Sequence, residues 1–216
     1  MISNEAKQTL SNIVRGIIIT EQCDNLNSAR NFLCESFATN TTIAKNIAQQ
    51  TEIKKKQIDC LKSFITENNL WISNFPNLEN YLTEGGEAKI YFGIDNKSVI
   101  KLNDGIYYST WLDFFNSLLI HNTFFRATSY ELIGFKLLNN ILYAVLQQPF
   151  VISDDIVDLE KVSLFLAYNG FIKKRRNDYY NEELGLVLED IHDENVLINA
   201  NTLFFIDTVF YIDLKE

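Results

Sequence analysis

Three polar residues in the last part of the chain have types and spacing suited to phosphate chemistry. Asp190 and Asn195 lie five residues apart, and Asp207 lies twelve residues after Asn195. A carboxylate can accept the proton of an attacking hydroxyl, and carboxylate and amide oxygens are suitable ligands for Mg²⁺. Phosphoryl transfer needs these two functions and little covalent chemistry from the protein. We therefore predict that Asp190 is catalytic and that Asn195 and Asp207 bind a metal.

Two features upstream could hold the phosphates themselves. Lys101 lies in the strand-like stretch Val99–Leu102, where a lysine can reach a phosphate oxygen or simply point to solvent. Gly85 and Gly86 precede another such stretch and permit a tight turn whose amides approach an anion, although such a pair is more often just a turn. Asp113 is the only carboxylate in the helix-like stretch after Lys101. It could hold the lysine toward the phosphates or be an ordinary exposed helix residue.

The first 75 or so residues are expected to be helical, because their apolar residues recur with a period near 3.6. Leu26, Ala29, Leu33 and Phe37 form one apolar stripe. Thr41 and Thr42 can cap the strongest helix, and its Lys54–Lys56 run is most simply a solvated face. Pro76 marks the predicted boundary between a helical segment, 1–78, and a second domain, 79–216.

After Pro76 the pattern changes to short apolar stretches separated by turn residues. We expect strands at 88–92, 98–102, 130–137, 141–146, 196–198 and 203–206, and helices at 109–119 and 158–168. Such an order predicts an α+β fold. A basic run, Lys173–Arg176, follows the second helix. His121 is placed at a helix end, where it can satisfy the last carbonyls, and His192 is interpreted as structural rather than as a base.

Charge and composition limit the classes of partner and the cellular location to be expected. The formal net charge is −9, and most of it lies after residue 78, which argues against binding to a nucleic-acid backbone. No apolar run approaches the ~20 residues that cross a bilayer, and the N-terminus lacks the order of a signal peptide. The three cysteines show no metal-ligand spacing, as expected of reduced thiols in a cytoplasm. We expect a cytoplasmic protein without membrane partners.

Several of these motifs resemble those of protein kinases. The spacing of Asp190 and Asn195 is that of the kinase catalytic loop, and Lys101 and Asp207 stand where kinases carry a phosphate-binding lysine and a second metal ligand. The stretches that carry a closer resemblance are Val99–Asp104, Tyr107–Phe114, Ile120–Asn122, Tyr130–Phe135, Gln147–Phe150, Asn169–Phe171, Leu188–Leu197 and Phe205–Thr208. Through them, residues 79–213 resemble the small kinase-like domain of polyvalent proteins from phages and conjugative elements.

The resemblance implies a protein-kinase-like fold, with a small N-lobe over 79–152 and a strongly reduced C-lobe over 153–216. It implies ATP and Mg²⁺ as cofactors, with Gln147 and Gln148 at a hinge that meets the adenine. It also implies carriage by a bacterial mobile element and an unknown protein or small-molecule acceptor, which could be a host protein.

Three functions stay open at this point. The chain could be an active phosphotransferase, a pseudokinase that serves as a binding module, or an enzyme that transfers AMP with the same site. The full set of polar site residues favours an enzyme. The missing helix glutamate and the missing large lobe, since only nine residues follow Asp207, favour a binding module. Glu189 at the place of the kinase arginine argues against an activation-loop phosphate clamp.

Overall fold

The computed structural model describes residues 3–19, 24–37, 47–74, 78–86 and 88–213. The predicted cap at Thr41 and Thr42 and the predicted boundary at Pro76 lie outside these ranges. The α-helices are α1 (Asn4–Val14), α2 (Asn25–Phe37), α3 (Ile47–Glu67), α4 (Trp111–Phe124) and α5 (Leu159–Tyr168). Short 3₁₀ turns cover Leu78–Asn80 and Arg126–Thr128.

The strands are β1 (Tyr81–Glu84), β2 (Ala88–Phe92), β3 (Ser98–Asn103), β4 (Glu131–Leu138), β5 (Ile141–Pro149), β6 (Ile172–Arg175), β7 (Asp178–Asn181), β8 (Leu186–Glu189), β9 (Val196–Asn199), β10 (Thr202–Phe205) and β11 (Val209–Ile212). Every pairing between these strands is antiparallel. Helices and antiparallel sheets together make the fold α+β, as predicted.

The chain forms two compact units, each assembled from separated stretches. The five-stranded unit takes its described residues from 18–116 and 130–150, and the hairpin unit takes its own from 1–17, 117–129 and 151–216. The five-stranded unit contains one sheet of order β1-β2-β3-β5-β4. The hairpin unit contains a four-stranded sheet of order β11-β8-β7-β6 and the β9–β10 hairpin.

Turn residues fix the hairpins of the five-stranded unit. Asn139 and Asn140 join β4 to β5 with φ angles of 49° and 65°, a left-handed conformation that asparagine tolerates better than most residues. Asp95 accepts hydrogen bonds from the N–H groups of Lys97 and Ser98 and so closes the β2–β3 turn. Both turns fall where the sequence predicts them.

Two N-terminal helices belong to the five-stranded unit. The predicted apolar stripe of α2 is buried, with Leu26, Ala29, Leu33 and Phe37 all almost inaccessible to solvent. After α3 the chain runs along the edge of β4, where Phe135 N–H donates to Leu70 O and Ile72 N–H donates to Phe135 O, both at 2.8 Å. These two bonds extend the edge of the sheet with residues 70–72.

One face of α3 holds the start of α4. Gln57 Oε1 accepts the N–H groups of Trp111 at 2.8 Å and Leu112 at 3.3 Å. Lys54 Nζ donates to Gly105 O at 2.6 Å and to Tyr108 O at 2.8 Å. The interpretation of the lysine run as a solvated face is therefore wrong for Lys54, because its ammonium replaces water with backbone carbonyls of a sequence-distant segment.

Phenylalanines form the centre of the hairpin unit. The Phe125 ring stacks on Phe205 at a centroid distance of 4.1 Å, and the Phe124 ring stacks on Phe210 at 5.6 Å. Phe171 meets both Phe124 and Phe210. The end of α4 is thereby joined to β10 and β11, which flank the predicted metal ligand Asp207. Within the described ranges, no helix is long and apolar enough to cross a membrane.

Candidate active site

The candidate catalytic loop connects β8 to β9 and contains Asp190 and Asn195. Asn195 Nδ2 donates to both the main-chain O and the carboxylate Oδ2 of Asp190, each at 2.9 Å. Asp190 has a φ angle of 64°, a left-handed conformation that aspartate and asparagine tolerate better than other side chains with a Cβ. The five-residue spacing therefore forms a closed loop in which the amide fixes the carboxylate.

His192 supports the same loop. Glu194 N–H donates to His192 Nδ1 at 3.2 Å, so the neutral ring carries its proton on Nε2. That nitrogen lies 3.4 Å from Asp190 Oδ1. His192 thus steadies the second carboxylate oxygen, which fits the structural role assigned to it.

Asp207 is brought to the same loop by two strand pairs. Ile206 N–H donates to Asn195 O at 3.0 Å, which extends the β9–β10 pairing by one residue. On its other side, Val209 pairs with Glu189 in the β8–β11 ladder. Asp207 lies between these two anchors, so its backbone is confined beside both ends of the loop.

A buried histidine holds the residue after Asp207. His121 lies in the last turn of α4 and is fully buried. Its Nε2 donates to Thr128 O at 2.9 Å, which leaves Nδ1 of the neutral ring to accept the Thr208 hydroxyl at 2.7 Å. Thr128 Oγ1 in turn donates to Phe205 O. His121 lies at the helix end as predicted, but the carbonyl it bonds lies beyond the helix, and its second partner positions the Asp207 segment.

The oxygen donors around the loop fit a magnesium ion. Because Asn195 Nδ2 is turned to Asp190, its Oδ1 is the atom left for a cation, and it accepts no hydrogen bond within the described ranges. No group of three or more His, Cys, Asp or Glu side chains among the described residues could hold a metal alone. Magnesium at Asn195 and Asp207 would therefore need phosphate oxygens and water as further ligands, which is its usual manner of binding.

Glu189 lies close enough to the carboxylates of Asp178 and Asp190 to be repelled by their charges. It ends β8 and is half-buried. Burial raises the pKa of the Glu189 carboxyl, and the negative charges of Asp178 and Asp190 raise it further. The ionised form at neutral pH is thus destabilised relative to the unfolded chain.

We expect Glu189→Gln to increase the free energy of unfolding at pH 7 by up to about 1 kcal/mol, because solvent screens much of the repulsion. Since the folded-state pKa is raised, the protonated carboxyl contributes its stability fully below the unfolded-state pKa and loses it as pH rises through the folded-state pKa. The difference in free energy of unfolding between Glu189→Gln and the wild-type protein should therefore disappear below about pH 4. Urea unfolding at several pH values checks this, with the exposed Glu131→Gln as control. A stability difference that grows toward acid pH would contradict this prediction.

Lys101 lies at the centre of the five-stranded sheet. It pairs with Ile90 on β2 and Leu146 on β5, and only 5% of it is exposed. Its ammonium lies 5.3 Å from the ring centroid of Tyr130, within the range of a cation–π contact. Lys101 is thus not a solvent-facing strand residue.

The two predicted hinge residues follow on the neighbouring strand. Gln147 pairs with Ile100 and Gln148 with Val99, both across the β3–β5 ladder. Gln148 is buried and Gln147 is partly exposed. Their contact with an adenine stays a prediction.

The glycine pair forms the turn between β1 and β2. Gly85 N–H donates to Ala88 O at 3.0 Å. A Cβ on Gly86 would collide with the Tyr107 hydroxyl, so the tyrosine lies directly against the glycine backbone. Glu87 of this turn lies outside the described ranges. The predicted role of both glycines in phosphate binding is not tested by these contacts.

Asp113 starts α4. Its carboxylate Oδ2 accepts the Thr110 hydroxyl at 2.7 Å, and its N–H donates to Thr110 Oγ1 at 3.1 Å, which is a reciprocal capping arrangement. Burial raises the pKa of the Asp113 carboxyl, whereas the Thr110 bonds and the charge of Lys54 lower it. Asp113 is thus engaged with the helix start and Lys54, and its predicted pairing with Lys101 stays a prediction.

The structure places Asp190, Asn195 and Asp207 in the hairpin unit, where Asn195 bonds Asp190 directly and Ile206, the residue before Asp207, bonds the main chain of Asn195. The remaining predicted residues lie in the five-stranded unit. That second group comprises Lys101, Gly85, Gly86, Asp113, Gln147 and Gln148. Sequence reasoning missed the positioning role of His121 with Thr208, and that of Lys54 with Gln57. No local signal could have found them, because each acts on a segment distant in sequence.

Comparison with known proteins identifies the family of the chain. A family model described as serine/threonine/tyrosine kinase found in polyvalent proteins matches residues 54–214, about three quarters of the chain. The match includes the catalytic loop and begins at Lys54 in α3. No curated protein and no solved structure matches the chain. The resemblance read from the motifs is thereby confirmed, and the chain belongs to the family of serine/threonine/tyrosine kinases found in polyvalent proteins.

Proposed function

We propose that the chain is an ATP- and magnesium-dependent phosphotransferase of protein-kinase-like fold, carried by a bacterial mobile element or phage. In this proposal the five-stranded unit corresponds to the nucleotide-binding lobe of a kinase, and the hairpin unit to a reduced catalytic lobe. Family membership supports phosphate transfer in general. The catalytic loop supports the more specific assignment.

The geometry of the Asp190–Asn195 pair carries the proposal. The amide nitrogen of Asn195 is used to hold Asp190, and the amide oxygen is left for a cation. A loop that served only to connect β8 with β9 would not need a half-exposed asparagine that bridges the main chain and side chain of a left-handed aspartate. A site for proton acceptance next to a metal does need it.

Each residue then has one task. Asp190 accepts the proton of the acceptor hydroxyl as that oxygen bonds the γ-phosphorus of ATP and the bond from the γ-phosphorus to the departing ADP breaks. Asn195 and His192 keep the Asp190 carboxylate oriented. Asn195 Oδ1 and the Asp207 carboxylate would hold magnesium, and Lys101 would hold phosphate oxygens. ATP with magnesium supplies the transferred phosphoryl group and neutralises charge on its oxygens. His121 holds the Asp207 segment through Thr208.

We expect ATP to raise the melting temperature only in the presence of Mg²⁺, and Asp207→Asn to remove this effect. Ligand at about 100 times its dissociation constant adds about 2.7 kcal/mol of stability, or a shift of roughly 5–10 °C for a chain of this size. Thermal denaturation and titration calorimetry measure the two effects.

The matched control is Asp213→Asn, an exposed aspartate of the same unit, which should keep the full shift. No shift of the wild-type protein at ATP well above millimolar would contradict the proposed function and favour a pseudokinase. Release of pyrophosphate rather than ADP during turnover would instead indicate AMP transfer.

A further inference from the structure

We propose that the phosphate acceptor is a hydroxyl within an acidic, extended protein segment, and that the basic strand Lys173–Arg176 holds this segment beside the catalytic loop. This inference rests on the proposed function and names the substrate class of the same site. Three observations carry it: the position of the strand, its unpaired charges and its open edge.

The basic strand is tied to the catalytic loop. It forms β6 and the first residue of the β6–β7 turn. The next turn residue, Asn177, accepts a hydrogen bond at its main-chain O from Ile191 N–H at 3.1 Å. Ile191 directly follows Asp190. The residue after Arg176 is therefore hydrogen-bonded to the residue after the proposed catalytic Asp190.

The four cations have no acidic partner among the described residues. All four side chains are exposed, and none forms an ion pair with a described carboxylate. Arg175 even lies opposite Asp178 in the hairpin without pairing with it. In a chain of net charge −9, such a run has abundant internal acids with which it could pair. Its charges are thus available to an acidic partner.

Two of the cations are held in place by aromatic rings. Lys174 Nζ lies 3.9 Å from the ring centroid of Tyr180, and Lys173 Nζ lies 5.8 Å from that of Tyr179. Both tyrosines are buried in β7. The ordered lysines present their charge at lower entropic cost to a partner than free surface lysines would.

The edge of the sheet suits an extended segment. In the order β11-β8-β7-β6, β6 is the outer strand, so one row of its main-chain N–H and C=O groups faces away from β7. Beside it, a groove of about 780 Å³ runs between α5 and β6. The groove is lined by Leu164 and Ile172, which are 71% and 68% exposed. An acidic segment with one apolar side chain could add to the edge and seat that side chain in the groove.

The geometry also limits where the acids must lie. A strand advances about 3.3 Å per residue, so four basic residues cover roughly 10 Å from the turn at Asn177. Acidic residues should therefore lie within about four residues of the acceptor hydroxyl. A nucleic acid fits less well, because the surrounding chain is strongly acidic and four cations would neutralise few phosphates.

Short synthetic peptides test the inference. Each contains one Ser, Thr or Tyr, one leucine, and glutamates within four residues of the acceptor; the comparison peptides have glutamine at every glutamate. We expect the acidic peptides to show a KM about tenfold lower than that of the neutral peptides. The double variant Arg175→Gln/Arg176→Gln should remove most of this difference by raising the KM of the acidic peptides. The control Lys55→Gln/Lys97→Gln removes two exposed cations of the five-stranded unit and should keep the preference.

A second measurement does not depend on catalysis. Fluorescence anisotropy of a labelled acidic peptide with the Asp190→Asn chain should show binding that the arginine variant weakens about tenfold. Equal phosphorylation of acidic and neutral peptides would overturn the acceptor inference alone. Tighter binding of a single-stranded oligonucleotide than of the acidic peptide would overturn it as well. Peptide binding without any phosphate transfer by the wild-type protein would overturn the proposed function and keep the basic strand as a docking surface for acidic segments.

Discussion

Asp190→Asn is expected to reduce phosphate transfer by about 1000-fold, the size of effect that loss of a proton-accepting group produces. Asparagine tolerates the left-handed backbone of residue 190, and its Oδ1 can still accept the Asn195 amide. The variant should therefore keep the loop and lose only the carboxylate chemistry. Transfer of labelled phosphate to an acidic peptide measures the loss, while calorimetry with Mg²⁺ and ATP should show binding close to that of the wild-type protein.

Asp190→Ala is the informative contrast. It removes the carboxylate, the hydrogen bond from Asn195 and the tolerance of a positive φ angle, so it should also cost about 1–3 kcal/mol of stability. Equal stability of the two variants would mean that the loop does not depend on these bonds. Transfer by Asp190→Asn above about a tenth of the wild-type rate would contradict the assignment of the base.

Gly134→Ala should have the largest effect on stability, a loss of about 3 kcal/mol. Gly134 lies at an irregularity in β4, and its φ angle of 156° is one that residues with a Cβ rarely adopt. A Cβ there would lie 2.5 Å from Leu70 O and 2.7 Å from Ile72 Cδ1. Both neighbours belong to the stretch that is bonded to Phe135, so the methyl group would push residues 70–72 away from the sheet edge. Chemical denaturation measures the change.

Gly85→Ala is the matched control, because nothing lies within 4 Å of a Cβ at this position. Its stability should change by less than about 1 kcal/mol. A similarly small change for Gly134→Ala would show that the bonds between residues 70–72 and β4 can rearrange freely. A large change in both variants would indicate that backbone freedom, rather than the close approach, explains the effect.

The sequence predicts the elements that have strong local signals. The β4–β5 hairpin is confirmed because Asn139 and Asn140 suit the turn that joins two apolar runs. The second predicted helix is confirmed with Asp158 as its N-cap, whose carboxylate accepts the Glu160 N–H. In both cases the information lies within a few residues, which is the range over which propensity and capping operate.

Strands β6, β7, β8 and β11 were not predicted as a sheet. Every residue of β6 is exposed and three of the four are basic, so no apolar alternation marks it as a strand. Its strand form depends on β7, which pairs in turn with β8, where Leu186 and Leu188 are buried. Such tertiary dependence cannot be read from local composition.

The residues of the candidate site also divide into those that a local pattern predicts and those that only the folded chain brings together. The spacing of Asp190 and Asn195 is local, and the structure joins the two side chains as that spacing implies. The bond between His121 and Thr208 spans 87 residues and appears only once α4, β10 and β11 share a core. The roles of Lys101, Asp113 and the two glycines stay predictions that nucleotide binding must test.

The way in which the two units are assembled from separated stretches determines which unit can fold first during synthesis. All stretches of the five-stranded unit have left the ribosome once residues up to 150 are free, whereas the hairpin unit joins α1 to strands that end at Ile212. During synthesis, α1 is therefore made first, and the hairpin unit to which it belongs is complete only after the last strands emerge. The nascent protein should therefore complete the five-stranded unit before the hairpin unit, so a chain that lacks its last strands would hold the proposed Asp190–Asn195 site in an unfinished unit.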